Sequence, residues 1–262
     1  MINDRIFEIL NLVRTKSPLI HAITNPISIT QCANTALAVG ARPVMAEHPK
    51  EVRDITKTAD AILLNTGNIT DVRMRSMLIS AKTAKDRNIP IVIDLVGISC
   101  SDLRRKYALK LIKKCRPALI KGNYSEILSL FDKCYKSKGV DSDKTLTEAK
   151  MTDIISALSD RYNTIILASG KADIICYKSD MFRIKNGTPA LAKITGTGCM
   201  LGMLCACFLA VSPDIYGGIT ACLTLGICGE ISAFQGNGSF FINLMDALSN
   251  KIPLEAMKIE KL

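Results

Sequence analysis

The chain of 262 residues is 48% hydrophobic and 22% charged, the balance of a globular protein with a substantial core. Tryptophan is absent and aromatic residues make up 5%, so that core has to be aliphatic. The formal net charge of +10 admits an anionic partner, but no nucleic-acid motif accompanies it.

The N-terminal stretch MINDRIFEILNLVRTK carries Asp4 and Glu8 among its apolar positions and reads as an amphipathic helix, not a signal sequence. Short apolar runs then recur at 21–24, 43–46, 61–65, 91–95, 118–122 and 164–169. Most are continuous instead of alternating, which suits strands of a parallel sheet buried on both faces. Helical patterns separate them at 29–39, 49–59, 70–87, 101–115 and 145–161, giving a βαβ rhythm. The most basic of these stretches, 103–116, sets its charges around Leu103, Tyr107, Leu111 and Cys115, the apolar stripe of a helix on a core. KSKGVDSDK (136–144) reads as one polar loop.

Near residue 172 the rhythm changes. ADIICY and MFRIKNG, joined by KSD, read as an antiparallel hairpin, and after residue 198 helices alone are expected, at 199–210, 214–234 and 239–249. The longest uncharged apolar run, 199–211, is too short to span a bilayer, so no membrane partner is expected. The expectation is a single α/β domain over 1–262: a mostly parallel central sheet, helices on both faces, and an antiparallel edge near its C-terminal side. The ten cysteines include no C-x-x-C pair and fall mostly in apolar stretches, so they read as buried reduced thiols in a cytoplasmic protein.

Three places carry chemistry. In ITGTGCMLG (194–202), Gly196 and Gly198 permit a sharp turn that exposes backbone N–H groups where a helix opens at or near Cys199. The helix dipole makes that end an anion site. It is neither a P-loop nor a dinucleotide fingerprint, since no GK[ST] follows and residue 201 is leucine. A tight turn before a packed helix would look the same. Asp94 ends an apolar strand, and Glu126 follows the next one in KGNYSEI. Carboxylates at neighbouring strand ends suit Mg²⁺ with phosphate oxygens, with Lys121 as a point charge on phosphate. A strand-end salt bridge for Asp94 and a helix cap for Glu126 are the alternatives. HAITNPI (21–27) brings His21, which reads as a satisfied core histidine, and Asn25–Pro26, a turn at a strand end.

Taken in order, SPLIHAITNPIS, GARPVMAEHPKEV, LLNTGNI, PIVIDLVG, RPALIKGNYSEI, NGTPALAKITGTGC and GSFFINLMDAL resemble the hydroxyethylthiazole kinase family of the ribokinase-like superfamily, over nearly the whole chain. The resemblance implies ATP- and Mg²⁺-dependent phosphorylation of the hydroxyl of 5-(2-hydroxyethyl)-4-methylthiazole in thiamin salvage, by a homotrimer with substrate sites at subunit interfaces. It implies an anion hole at Gly196, Thr197, Gly198 and Cys199, with Cys199 as a modest base or polar positioner. It implies Mg²⁺ and phosphate at Asp94 and Glu126, nucleotide contacts at Lys121, Asn123 and Ser169, and a thiazole pocket lined by Asn25, Ile27, Met45, Gly67 and Gly196.

The sequence departs from the family pattern at three positions. Leu95 replaces a proline in DLVG, Lys121 stands where arginine is frequent, and Lys171 reverses an acidic charge in SGKAD. A kinase for another small vitamin-precursor alcohol, or a non-catalytic ligand-binding protein on the same scaffold, are the competing expectations.

Overall fold

The computed structural model describes residues 2–137 and 148–262. Helix α1 (Ile2–Lys16) leads into β1 (Leu19–Ile23), α2 (Ile29–Ala38), β2 (Arg42–Val44), α3 (Val52–Thr58), β3 (Ala61–Asn65), α4 (Asp71–Asp86), β4 (Ile91–Asp94), α5 (Asp102–Cys115) and β5 (Leu119–Asn123). Helices α6 (Tyr124–Phe131) and α7 (Glu148–Tyr162) precede β6 (Ile165–Ser169), β7 (Asp173–Tyr177) and β8 (Asp180–Ile184). A short 3-10 turn at Pro189–Lys193 then opens onto α8 (Thr197–Leu209), α9 (Ile215–Ile231) and α10 (Asn237–Ser249), and β9 (Ile259–Lys261) closes the chain.

Among the described residues, nine strands form one sheet in the order β2-β1-β3-β4-β5-β6-β7-β8-β9. The first six are parallel, and β7, β8 and β9 run antiparallel at the far edge. Side chains alternate between the two faces of each strand. Ala22, Leu63, Val92, Leu119 and Leu167 point into a core shared with α1, α2, α8, α9 and α10. Ile23, Ile62, Leu64, Ile93, Ile120 and Ile166 point into a second core under α3 to α7. Two covered faces explain the continuous apolar runs, each fully buried leucine or isoleucine contributing about 1.5–3 kcal/mol.

The expected architecture of the sheet, its helical layers and its antiparallel edge is present. Local expectations needed correction. β9 follows α10 and pairs with β8, so helices are not the sole elements after residue 198. An additional helix, α6, starts directly where β5 ends. Leu103 is 59% exposed because it lies in the first turn of α5, whereas Tyr107, Leu111 and Cys115 are buried. Most of the polar segment 136–144 and the first residues of the helix expected over 145–161 lie outside the described residues. All ten cysteines are free, eight of them buried. No helix among the described residues is long and apolar enough to cross a membrane.

Candidate active site

Strand register builds the site. Asn65, the last residue of β3, pairs with Asp94, the last of β4, and Asp94 pairs with Lys121 of β5. Alternation places all three on the face that carries Leu63, Val92 and Leu119, directly under α8. A row of apolar side chains thus becomes a row of polar ones at the strand ends, which is where ligands bind in open α/β sheets.

Every member of the row is buried and engaged. Lys121 Nζ donates to Asp94 Oδ1 at 2.9 Å and to the Gly198 carbonyl at 2.8 Å. Asn65 Nδ2 donates to Asp94 Oδ2 at 3.0 Å and to Cys199 Sγ at 3.2 Å. Asn25, just beyond β1, donates from Nδ2 to the same sulfur at 3.3 Å. Burial raises the Asp94 carboxyl against the opposing pull of the Lys121 ammonium. Burial also pulls Lys121 down, but Asp94, Cys199 and Glu126 outweigh it, so Lys121 stays charged. For Cys199, burial and then Asp94 raise the thiol, opposed by Lys121 and by hydrogen bonds with Ser28 and Asn65.

The glycine turn sits over this row. Gly196 has φ +94°, and a Cβ there would stand 2.9 Å from Ser28 Cβ, so both the backbone and the space require glycine. α8 begins at Thr197, two residues earlier than expected, and Cys199 is its third residue. The first bond of its ladder runs from Met200 N–H to the Gly196 carbonyl. The N–H groups of Thr197, Gly198 and Cys199 therefore lie ahead of that ladder, at the positive end of a helix dipole. The Thr197 hydroxyl donates back to the carbonyls of Leu191 and Ile194, so what this residue offers an anion is its backbone N–H.

Glu126 is the third residue of α6 in a capping box. Asn123 Oδ1 accepts from Glu126 N–H at 2.9 Å, and Glu126 Oε2 accepts from Asn123 N–H at 2.7 Å. Its other oxygen accepts from Gly97 N–H at 2.7 Å, tying α6 to the loop after β4. Burial, with a smaller push from Asp94, raises its carboxyl to about 7. Asp94 therefore sits in a strand-end ion pair and Glu126 in a helix cap.

The other residues singled out in the sequence lie on neighbouring elements and loops. Asn123 and Ser169 are register partners at the ends of β5 and β6. Ser169 Oγ donates to the Gly122 carbonyl at 3.4 Å. Gly67 is buried, and a Cβ there would meet Asn65 Oδ1 at 2.9 Å and Asn25 at 3.0 Å. Met45 is half-buried against the α8-side core, and Ile27 is 57% exposed. His21 is a core histidine bonded to the Thr56 hydroxyl and the Ala46 carbonyl. Two of the three departures have a local account: Leu95 donates its N–H to the Lys121 carbonyl at 2.8 Å, a bond a proline would lack, and Lys171 is exposed.

Asn65 is a site residue that sequence reasoning misses. Its signal is a polar residue closing an apolar strand run, the same signal that marks Asp94.

A model of the hydroxyethylthiazole kinase family matches residues 10–253. The chain belongs to the hydroxyethylthiazole kinase family. It is 44% identical to hydroxyethylthiazole kinase 2 of Clostridium botulinum (strain 657), covering 96% of this chain and 98% of that one. It is 41% identical to hydroxyethylthiazole kinase of Finegoldia magna, covering 98% of each. The solved hydroxyethylthiazole kinase structure from Pyrococcus horikoshii superposes with a TM-score of 0.91 at 29% identity, over 99% of both chains. A ribokinase-like superfamily protein of Enterococcus faecalis, at TM-score 0.67 and 15% identity, shares the fold.

Proposed function

We propose that this chain, as a single kinase domain over 1–262, transfers the γ-phosphoryl group of ATP to the hydroxyl of 5-(2-hydroxyethyl)-4-methylthiazole, serving thiamin salvage. The observation that carries the reading is the stack of the α8 N-terminus over the buried Asn65–Asp94–Lys121 row, with Cys199 between them. Family membership supports the acceptor.

In this reading the hydroxyl oxygen bonds to the γ-phosphorus as the bond to the ADP oxygen breaks. The transition state is loose, so positioning and charge stabilisation carry most of the rate. The N–H groups of Thr197, Gly198 and Cys199, at the turn that Gly196 opens, meet the transferring oxygens. An ammonium has three donors, and Lys121 uses two on Asp94 and Gly198, which leaves one for phosphate. The alcohol proton passes late to Cys199 sulfur in its thiolate form. Asn123 and Ser169 meet the nucleotide, and Asn25, Ile27, Met45 and Gly67 line the thiazole pocket beside Gly196.

Asp94 and Glu126 fit Mg²⁺ as the cofactor. Each of their oxygens carries one protein hydrogen bond and keeps a second acceptor site, and the cation usually takes one or two carboxylates with waters and phosphate. Among the described residues no cluster of three His, Cys, Asp or Glu could cage a metal, in keeping with a site completed by ATP phosphates. When bound, Mg²⁺ neutralises charge on those phosphates.

A homotrimer with interfacial sites accords with the exposure of Ile27, a pocket residue that a second copy would cover. Cytoplasmic residence accords with the free cysteines.

With γ-labelled ATP, Mg²⁺ and the thiazole alcohol, label should appear in the thiazole phosphate, and EDTA should stop the transfer. Label released solely as free phosphate would overturn the reading.

A further inference from the structure

Asn65 is fully buried at the end of β3, and all its polar atoms are used. Oδ1 accepts from Gly67 N–H at 2.7 Å. A backbone N–H can only donate, so the oxygen must face it, and this fixes the amide against being flipped. Both hydrogens of Nδ2 are then committed, one to Asp94 Oδ2 and one to Cys199 Sγ. Asn25 repeats the arrangement from the other side. Its Oδ1 accepts from Ile27 N–H at 2.9 Å, and its Nδ2 donates to the same sulfur.

Cys199 is thus an acceptor twice over, between two amides whose orientations are each set by a main-chain N–H. Gly67 belongs to the same unit: a Cβ at this position would strike both asparagines. An aspartate at 65 could not do the same work, because its carboxylate would face that of Asp94 across a dry contact. Asparagine is the side chain that links an anion and a sulfur while adding no charge.

We propose that Asn65 is a positioning residue of the phosphoryl-transfer site, holding Cys199 Sγ and Asp94 Oδ2 in fixed relation through the two hydrogens of one amide. It touches no substrate and acts through Cys199. The inference rests on the kinase reading above and adds to it a residue that acts on turnover and not on substrate binding. Small misplacements of a reacting group are costly, so losing the link should lower kcat by about 10- to 100-fold.

The test is a double-mutant cycle on thiazole-dependent ADP release, using wild type, Asn65→Ala, Cys199→Ala and the double variant, with thermal melting as a folding control. Asn65→Ala should lower kcat by about 10- to 100-fold while the KM for the thiazole stays within about twofold. In the Cys199→Ala background the same substitution should cost less than about threefold, because the sulfur it positions is gone while Lys121 still holds Asp94 through Oδ1. Equal losses in both backgrounds, or an unchanged kcat, would overturn the proposal. If Asn65→Ala does not fold, Asn65→Ser keeps a small polar group in the buried site but has one hydrogen and cannot donate to both Asp94 and Cys199, and its kcat loss must also vanish in the Cys199→Ala background. Wild-type turnover in the same assay separates the two claims. Its absence counts against the kinase reading, whereas turnover with equal losses counts against the positioning role.

Discussion

Replacing Lys121 with methionine will destabilise the protein by about 3–5 kcal/mol, because it leaves the Asp94 carboxylate buried without its cation. The pair is nearly dry: Lys121 is 3% exposed and Asp94 0%. Methionine keeps much of the lysine stem's volume, so the loss is electrostatic and not a cavity effect. The Gly198 carbonyl loses its donor at the same time, which loosens the turn over the site. Urea denaturation of Lys121→Met, with the midpoint shifted and the slope unchanged, measures the effect. The double variant Asp94→Leu/Lys121→Met should recover much of the stability, since an apolar pair carries no desolvation penalty, yet remain inactive. Recovery of activity would mean that the pair is structural alone.

Replacing Cys199 with alanine will lower kcat by about 10²–10⁴-fold, the range a positioned general base supplies. The pH dependence has a definite sign. Burial and Asp94 raise the thiol above its ordinary value near 8.5, so the thiolate is scarce at neutral pH and grows as pH rises. Wild-type kcat/KM should therefore climb from pH 7 towards pH 9. Cys199→Asp supplies a base that ionises at lower pH, and its profile should be flatter over that interval with higher relative activity at the acidic end. Full turnover by Cys199→Ala would assign the chemistry to the N–H groups of the glycine turn and leave the thiol a packing role.

The elements legible in the sequence were those whose burial leaves a pattern. Five of the six parallel strands are buried between helices and produce continuous apolar runs, the edge strand β2 being the exception, and the hairpin of β7 and β8 announces itself by the polar turn at Lys178–Ser179. β9 leaves no such trace, because its three residues IEK form an edge whose pairing with β8 is a tertiary choice. α6 was hidden because Asn123 both ends β5 and caps the helix. Its Asn-x-x-Glu spacing was nonetheless a readable capping signal. The site was legible as a set of residue types. The pairwise register that seats Asn65, Asp94 and Lys121 side by side is not a local property, so Asn65 looked like the tail of an apolar run and Lys121 like a free phosphate ligand.

The most direct measurement of the central claim is ADP formation from Mg-ATP by the wild-type protein across a panel of acceptors: the hydroxyethylthiazole, pyridoxal, a hydroxymethylpyrimidine and none. The account predicts ADP formation that depends on the thiazole and exceeds that with every other acceptor. Equal or greater turnover with another alcohol, or none from folded protein with any acceptor, would contradict it.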